Sequence, residues 1–320
     1  MKKQTCKYLF SFLALLFSLR ILGQQNYAVK NYLVEEGLPH NVINQILQDK
    51  KGFIWLATYN GISKYDGYTF KNYKSKPSDK VFMKKNRIDR IVEDKYGRIW
   101  IRTNSTQSNA YCFNPETESF WSTSLIKNPS VQDFPLTKII SQKSGNVWLI
   151  SETSGCILVK DAAFHTKVYN TKSHNLPAAN VRYVYEDKQQ NSWLLTDNGL
   201  TLIKKNKPDQ PIHYFSNKKG GVKSFYSAIE VEDEIWFGAS NGRIVKYSKT
   251  DRTFRTAVLE VNANIIRLEK LNDQTILAIT DQKGFCTIDI HTHALQVYDS
   301  KSYPELNTTE MVPISIIQNH

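Results

Sequence analysis

The chain has 320 residues, of which 41% are hydrophobic and 12% aromatic, enough for one large all-β domain or two ordinary ones and too apolar for extensive disorder. Its net charge of +12 is scattered, with no long Lys/Arg block, which argues against a nucleic-acid surface and for solubility or mild attraction to anionic glycans. Beyond Cys6 the cysteines are Cys112, Cys156 and Cys286, odd in number and widely spaced, so a disulfide scaffold is excluded.

Residues 1–23 read as a secretory signal peptide. Lys2, Lys3 and Lys7 precede an apolar run from Tyr8 to Leu19, Arg20 interrupts it, and Gly23 offers a cleavage site. The alternative, an uncleaved N-terminal anchor, is disfavoured because the run is short for a membrane span. Cleavage removes four cations and no acid, which lowers the net charge to +8. The following segment, Tyr27 to Val34, reads as an extra strand able to pair with a last blade and hide an edge.

From Val42 the pattern becomes regular. VINQILQD alternates as a strand, Lys50-Lys51-Gly52 is a tight turn, FIWLAT a second strand and Tyr59-Asn60-Gly61 a second turn. ISKYD, a turn at Gly67 and YTFKNY complete four strands. The unit returns at DKYGRIWIRTN, QKSGNVWLISETSGCILV, DKQQNSWLLTDNGLTLI, EDEIWFGASNGRIVKY and, degenerately, NDQTILAITDQKGFCTIDI. The anchors are Trp55, Trp100, Trp148, Trp193, Trp236 and Leu277, spaced 45, 48, 45, 43 and 41 residues apart; Trp121 alone is out of register. Such a period, with a turn signal every few residues, fits four-stranded propeller blades and disfavours helical repeats. MVPISIIQNH at the end reads as the first strand of a seventh repeat. The expected fold is therefore an all-β propeller over residues 24–320, with six repeats, the start of a seventh and an incomplete seven-blade ring. In a strand the Trp side chains fall on one face, so they are read as core between blades rather than as sugar platforms. Cys112 and Cys156, each inside an apolar strand, are read as small buried hydrophobes.

The repeat N-x-I/V-x-x-I-x-x-D-x-x-G-x-I-W-x-x-T-x-x-G-I/L-x-x-Y, and above all the block NYLVEEGLPHNVINQILQDKKGFIWLATYNGISKYDGYTFKNY, resembles the periplasmic regulator-propeller sensor domain of hybrid two-component histidine kinases. Later copies are looser: Gln142 stands for Asp, Gln190 for Gly and Leu277 for Trp. The resemblance implies a periplasmic sensor that binds an oligosaccharide-type ligand, acts as a homodimer in a full-length protein, and feeds a kinase and transcription module. No kinase nucleotide loop, DNA-binding helix pair or later apolar span is present in these residues.

Catalytic constellations are absent from the sequence: no G-x-S-x-G, no H-E-x-x-H and no phosphate-binding loop. The D-x-x-G turn is superficially similar to the Asp-box of sialidase propellers, with its Ser and Thr positions unfilled. His291 and His293 flank one residue at a turn without a third ligand, and Glu232-Asp233-Glu234 forms a solvated tip. No metal, cofactor, nucleic-acid contact or enzymatic activity is expected of this chain, and membrane attachment is expected only through downstream sequence. Ligand is expected on the face carrying the loops between blades and the turns between second and third strands, by analogy with other propellers. The candidates there are His40, Tyr59, Asn60, Arg87, Arg102, Asn104, Asn180 and Asp197: amides and guanidiniums for hydroxyls or acid groups, and Tyr59 for stacking. Asn60, Asn198 and Asn241 have a plainer reading as turn residues that tolerate left-handed geometry before Gly. Arg102 stands out because it replaces the small residue that usually precedes Thr. The competing functions are a secreted propeller enzyme on polysaccharide, which needs carboxylates at the channel mouth, and a structural or adhesion propeller, which needs a flat apolar face.

Overall fold

The computed structural model describes residues 30–303 apart from 78, 84, 105–108, 133, 215–221, 260, 283 and 300–301. The signal peptide and the first strand of a seventh repeat lie outside the described residues. Blade 1 comprises β1 (Ile43–Gln48), β2 (Ile54–Thr58), β3 (Gly61–Tyr65) and β4 (Phe70–Tyr73). Blade 2 is β5 (Ile88–Glu93), β6 (Ile99–Thr103), β7 (Tyr111–Asn114) and β8 (Ser119–Ser122). Blade 3 is β9 (Lys138–Ser141), β10 (Val147–Ser151), β11 (Gly155–Lys160) and β12 (His165–Tyr169). Blade 4 is β13 (Val181–Glu186), β14 (Ser192–Thr196), β15 (Gly199–Lys204) and β16 (Lys207–Tyr214). Blade 5 is β17 (Phe225–Val231), β18 (Glu234–Ala239), β19 (Arg243–Ser248) and β20 (Phe254–Val258). Blade 6 is β21 (Ile265–Lys270), β22 (Thr275–Thr280), β23 (Phe285–Asp289) and β24 (Leu295–Tyr298). Each blade is an antiparallel sheet whose strand order follows the chain, the up-and-down arrangement of a propeller.

The local chemistry of the repeat explains the turn between first and second strands. Asp49 accepts from the backbone of Lys51 and Phe53 through one carboxylate oxygen and from the Trp55 indole, at 2.8 Å, through the other. Asp94 treats Tyr96, Arg98 and Trp100 in the same way, and Asp187 holds Asn191 and Trp193. The carboxylate thus ties the turn to the buried ring six residues on. Gln142 keeps only the acceptor role, taking the Trp148 indole at 2.9 Å while its buried Nε2 has no partner. In blade 5 the acceptor moves to Glu234, which takes the Trp236 indole at 3.0 Å.

All five register tryptophans are fully buried, and each faces the next blade: Trp55 against Ile88 and Ile91, Trp193 against Phe225 and Phe237, Trp236 against Ile265 and Leu268. Trp121, out of register, stacks on Phe164 with ring centroids 4.1 Å apart and adds an outer layer between blades 2 and 3. Cys112, Cys156 and Cys286 are all buried free thiols. Gly61 has φ +99°, and a Cβ there would run into the Tyr73 carbonyl, so this turn requires glycine. Its N–H donates to the Asn86 carbonyl at 2.8 Å, and Gly155 and Gly242 likewise reach Ala179 and Ala263. These bonds fasten the turn between second and third strands to the loop entering the next blade, which puts both on one face.

Two expectations need correction. The described part of the Tyr27–Val34 segment is not a strand: residues 30–33 are irregular and lead into a 3-10 turn at Val34–Glu36. Tyr32 instead packs edge-on against Tyr65 and Phe70, its hydroxyl 2.6 Å from that of Tyr65, which ties the segment to the outer strands of blade 1. Among the three turn asparagines only Asn241 takes positive φ (57°); at the other two turns the glycine itself carries it, Gly61 at 99° and Gly199 at 132°.

Successive blades touch through their inner strands from blade 1 to blade 6, and no comparable contact joins β1 with β21. The six blades therefore do not close into a six-bladed ring, in keeping with an incomplete ring. Blade 1 has no preceding neighbour and blade 6 no following one among the described residues.

Candidate functional site

The innermost strands of blades 1, 2, 4, 5 and 6 share a local irregularity. Each carries a β-bulge near its start, at Asn44, Asp89, Arg182, Tyr226 and Ile266. A bulge adds an unpaired residue and re-aims its side chain. Here the added residues sit beside the loop face, and most are polar.

Around blades 1 and 2 the face is densely linked. His40 stacks on Tyr59 with centroids 5.4 Å apart, and its Nδ1 accepts from the Val42 N–H at 2.9 Å. The Arg87 guanidinium lies 4.1 Å from the Tyr59 ring centroid. With its amide carbonyl turned towards Arg87, Asn104 accepts from Nε and Nη2, both at 3.2 Å. Asp89 takes Arg102 Nη2 at 3.3 Å and lies 4.0 Å from Arg87 Nε. Arg102 is one quarter exposed, and its Nε is buried without a partner.

A second group follows on blades 3 to 5. Lys138 Nζ donates to the Arg182 carbonyl at 3.0 Å. Partial burial holds this ammonium below its ordinary value; Glu152 opposes that shift, and Arg182 and Arg102 reinforce it. Arg182 forms a forked pair with Asp197, through Nε and, at 3.1 Å, Nη2, and its guanidinium lies 4.8 Å from the Tyr226 ring. The charges of blades 2, 3 and 4 thus form one arc.

Of the sequence candidates, His40, Tyr59, Arg87, Arg102 and Asn104 come together, and Asp197 joins the arc through Arg182. Asn60 turns inward to its own loop, its N–H to Thr58 Oγ1 and its amide to the Pro39 carbonyl at 3.2 Å. Asn180 has a buried Oδ1 without a partner and enters none of the contacts of the arc. Asp89, Arg90, Lys138, Arg182 and Tyr226 were missed. Their signal is a polar residue set between the apolar anchors of the first strand, as in Ile88-Asp89-Arg90-Ile91, which reads as ordinary strand alternation until the bulge is seen.

Clefts occur on both faces. On the loop face, Ser130, Phe134, Thr153, Asn170 and Lys172 border a cleft of about 370 Å³ among the loops of blade 3, one residue from Glu152. On the opposite face, Glu232, Glu234, Asp251, His291 and His293 border one of about 480 Å³. His291 Nδ1 lies 3.8 Å from Glu232, and His293 sits 6.0 Å from the Trp236 ring. Both histidines are exposed turn residues, and no group of three His, Cys, Asp or Glu suited to a metal occurs among the described residues. These carboxylates lie between blades 5 and 6, away from the mouth.

No helix among the described residues is long and apolar enough to cross a membrane. A family model described as the two component regulator propeller matches residues 37–60, the loop that enters blade 1 with its β1 and β2. A 71-residue stretch is 41% identical to histidine kinase P4 of Formosa agariphila, 22% of this chain and 5% of that one. Among solved structures, the extracellular domain of BT3049 from B. thetaiotaomicron, described as a hybrid two component system, superposes with a TM-score of 0.57 at 23% identity, over 85% of this chain and 37% of its own. The corresponding domain of BT4673 gives 0.57 at 18% identity, over 84% and 35%. Virginiamycin B lyase from Staphylococcus aureus gives 0.53 at 13% identity, which shows shared propeller architecture alone. The chain therefore spans about a third of the B. thetaiotaomicron domains and a small fraction of the kinase. It is a β-propeller, matches the two component regulator propeller model over one stretch of blade 1, and resembles in fold the extracellular domains of hybrid two-component systems.

Proposed function

We propose that this chain is the ligand-sensing propeller of an exported hybrid two-component signalling protein, that it binds an oligosaccharide at the loop-face mouth, and that it catalyses no reaction itself. The observation that carries the reading is the arc of Tyr59, Arg87, Arg102, Lys138, Arg182 and Tyr226, in which aromatic planes and donor groups from five blades converge. Sugar rings offer apolar faces for such planes and hydroxyls for such donors. The polar cleft beside Thr153 and Asn170 extends the same face. Residues 1–23, read as an export signal, support a place outside the cytoplasm, and the kinase output belongs to other segments of a longer protein. Ligand acts by favouring one of two states of a dimeric sensor, which requires different affinities for the two.

The test is calorimetry of the purified protein against a panel of neutral and acidic oligosaccharides, with product analysis of the same mixtures. Saturable binding without cleavage is expected, and Tyr59→Ala should weaken it about tenfold, the loss of one stacking contact. Silence across the whole panel, or turnover of a bound sugar, overturns the reading.

A further inference from the structure

We propose that the mouth recognises an acid group on its glycan, a carboxylate or sulfate ester held between blades 2 and 3 by Arg90, Arg102 and Lys138. The inference rests on the oligosaccharide reading above and names the class of sugar.

Three features of the arc point this way. Arg90 and Arg102 stand directly opposite one another in the β5–β6 ladder. Like charges at such a cross-strand pair repel at close range, so the pairing is unfavourable unless an anion sits between them. Arg90 has no hydrogen-bond or ion-pair partner among the described residues, and it is exposed on the inner strand. The resident carboxylate, Asp89, is shared between Arg102 and Arg87 and satisfies neither guanidinium fully.

Arg102 itself is half used. Its Nη2 reaches Asp89, while its Nε is buried and has no acceptor. A guanidinium presents donors in a planar fork that suits two oxygens of one anion, and an unmet buried donor is costly. A carboxylate or sulfate that draws the Arg102 guanidinium outward, so that Nε donates to it, with a second oxygen towards Arg90, would meet both needs. Neutral hydroxyls could accept there, but they would leave the repulsion between the two guanidiniums in place.

Lys138 supplies the third cation. It feels the positive charge of Arg102 and Arg182, and partial burial disfavours its charged form. Arg182, by contrast, is already matched by the forked bond to Asp197. The remaining positive charge therefore falls on blades 2 and 3, where Glu152, itself exposed, offsets only part of it.

The test is calorimetry with tetragalacturonate, tetramannuronate and chondroitin sulfate tetrasaccharide, each beside its carboxyl-reduced or desulfated counterpart. At least one acidic sugar should bind about tenfold or more tightly than its neutral counterpart, the worth of one charge-assisted hydrogen bond. That advantage should shrink between about 0.05 M and about 0.5 M salt, as screening requires. Arg102→Met and, at solvent-exposed positions that spare the fold, Arg90→Met and Lys138→Met should each weaken the acidic sugar far more than its neutral counterpart and so close the gap between them. Preference for the uronates identifies the carboxylate, and preference for the sulfated sugar identifies the ester. Equal binding of acidic and neutral partners overturns this inference and leaves the oligosaccharide reading standing. Silence of every sugar overturns both.

Discussion

Ile91 in blade 2 and Ile46 in blade 1 occupy the same place in the repeat, each one residue before the partner of the Trp in its ladder. Ile91 is 1% exposed and Ile46 is 63% exposed. The neighbouring position repeats the contrast: Ile43 is 37% exposed, while Ile88, Val181 and Ile265 are completely buried. At the other end, Leu277 replaces the register Trp and remains half-buried, with Phe285 stacked on Tyr298 on the same side. The difference teaches that a blade has no core of its own. Its apolar positions become core only when a neighbouring blade, before or after it, brings a complementary face, as expected where each repeat contacts only its neighbours.

Substitutions at matched positions can break this comparison. The largest effect is expected for Trp193→Ala, which removes ring contacts to Phe237 and Tyr247 at 5.3 and 5.0 Å and should cost about 3–5 kcal/mol. Leu277→Ala, at the equivalent site facing no described blade, should cost less than about half as much by the same cavity argument. Urea unfolding of the two variants measures the contrast, and equal losses would mean that Leu277 is as fully packed as Trp193. Next comes Ile91→Asn, which buries an amide without partners and should cost about 3 kcal/mol, whereas Ile46→Asn should stay within about 0.5 kcal/mol of the parent. A large loss at Ile46 would show that something covers blade 1 in solution.

The smallest effect concerns the thiols. Burial pushes all three up, Cys286 to about 11, so none is a ready nucleophile while the fold is intact. Among the described residues blade 6 has a neighbouring blade on one face only, so it should open locally before the central blades. Iodoacetamide labelling followed by mass spectrometry should modify Cys286 before Cys112 and Cys156. Labelling of Cys112 or Cys156 first would contradict that order.

Much of the architecture was legible in the residues. The D-x-x-G turn, the Trp and the Gly after the second strand each follow from local chemistry: a carboxylate bridging a turn to an indole, a ring too large for a single sheet to cover, and a backbone that only glycine can adopt. The candidate site was legible in part. Tyr59, Arg87 and Arg102 could be placed on the right face by counting strands, and Arg102 stood out against its neighbours. Arg182 and Tyr226 could not be distinguished from exposed strand residues, because a bulge of one residue decides which way they turn, and Lys138 could not because the Arg182 carbonyl it reaches lies 44 residues away. Asn60 read as a free amide because the Pro39 carbonyl that receives it lies 21 residues away.

By itself, then, the sequence determined the repeat, its period and the face of each strand meant for burial, since these depend on interactions a few residues apart. The tertiary structure alone decided which of those faces find a partner and which charges meet at the mouth. Both depend on residues about one repeat or more apart, brought together by the stacking of blades. That is why Ile46 and Ile91, alike in sequence, differ in burial, and why Arg102 and Lys138, distant in sequence, share one field.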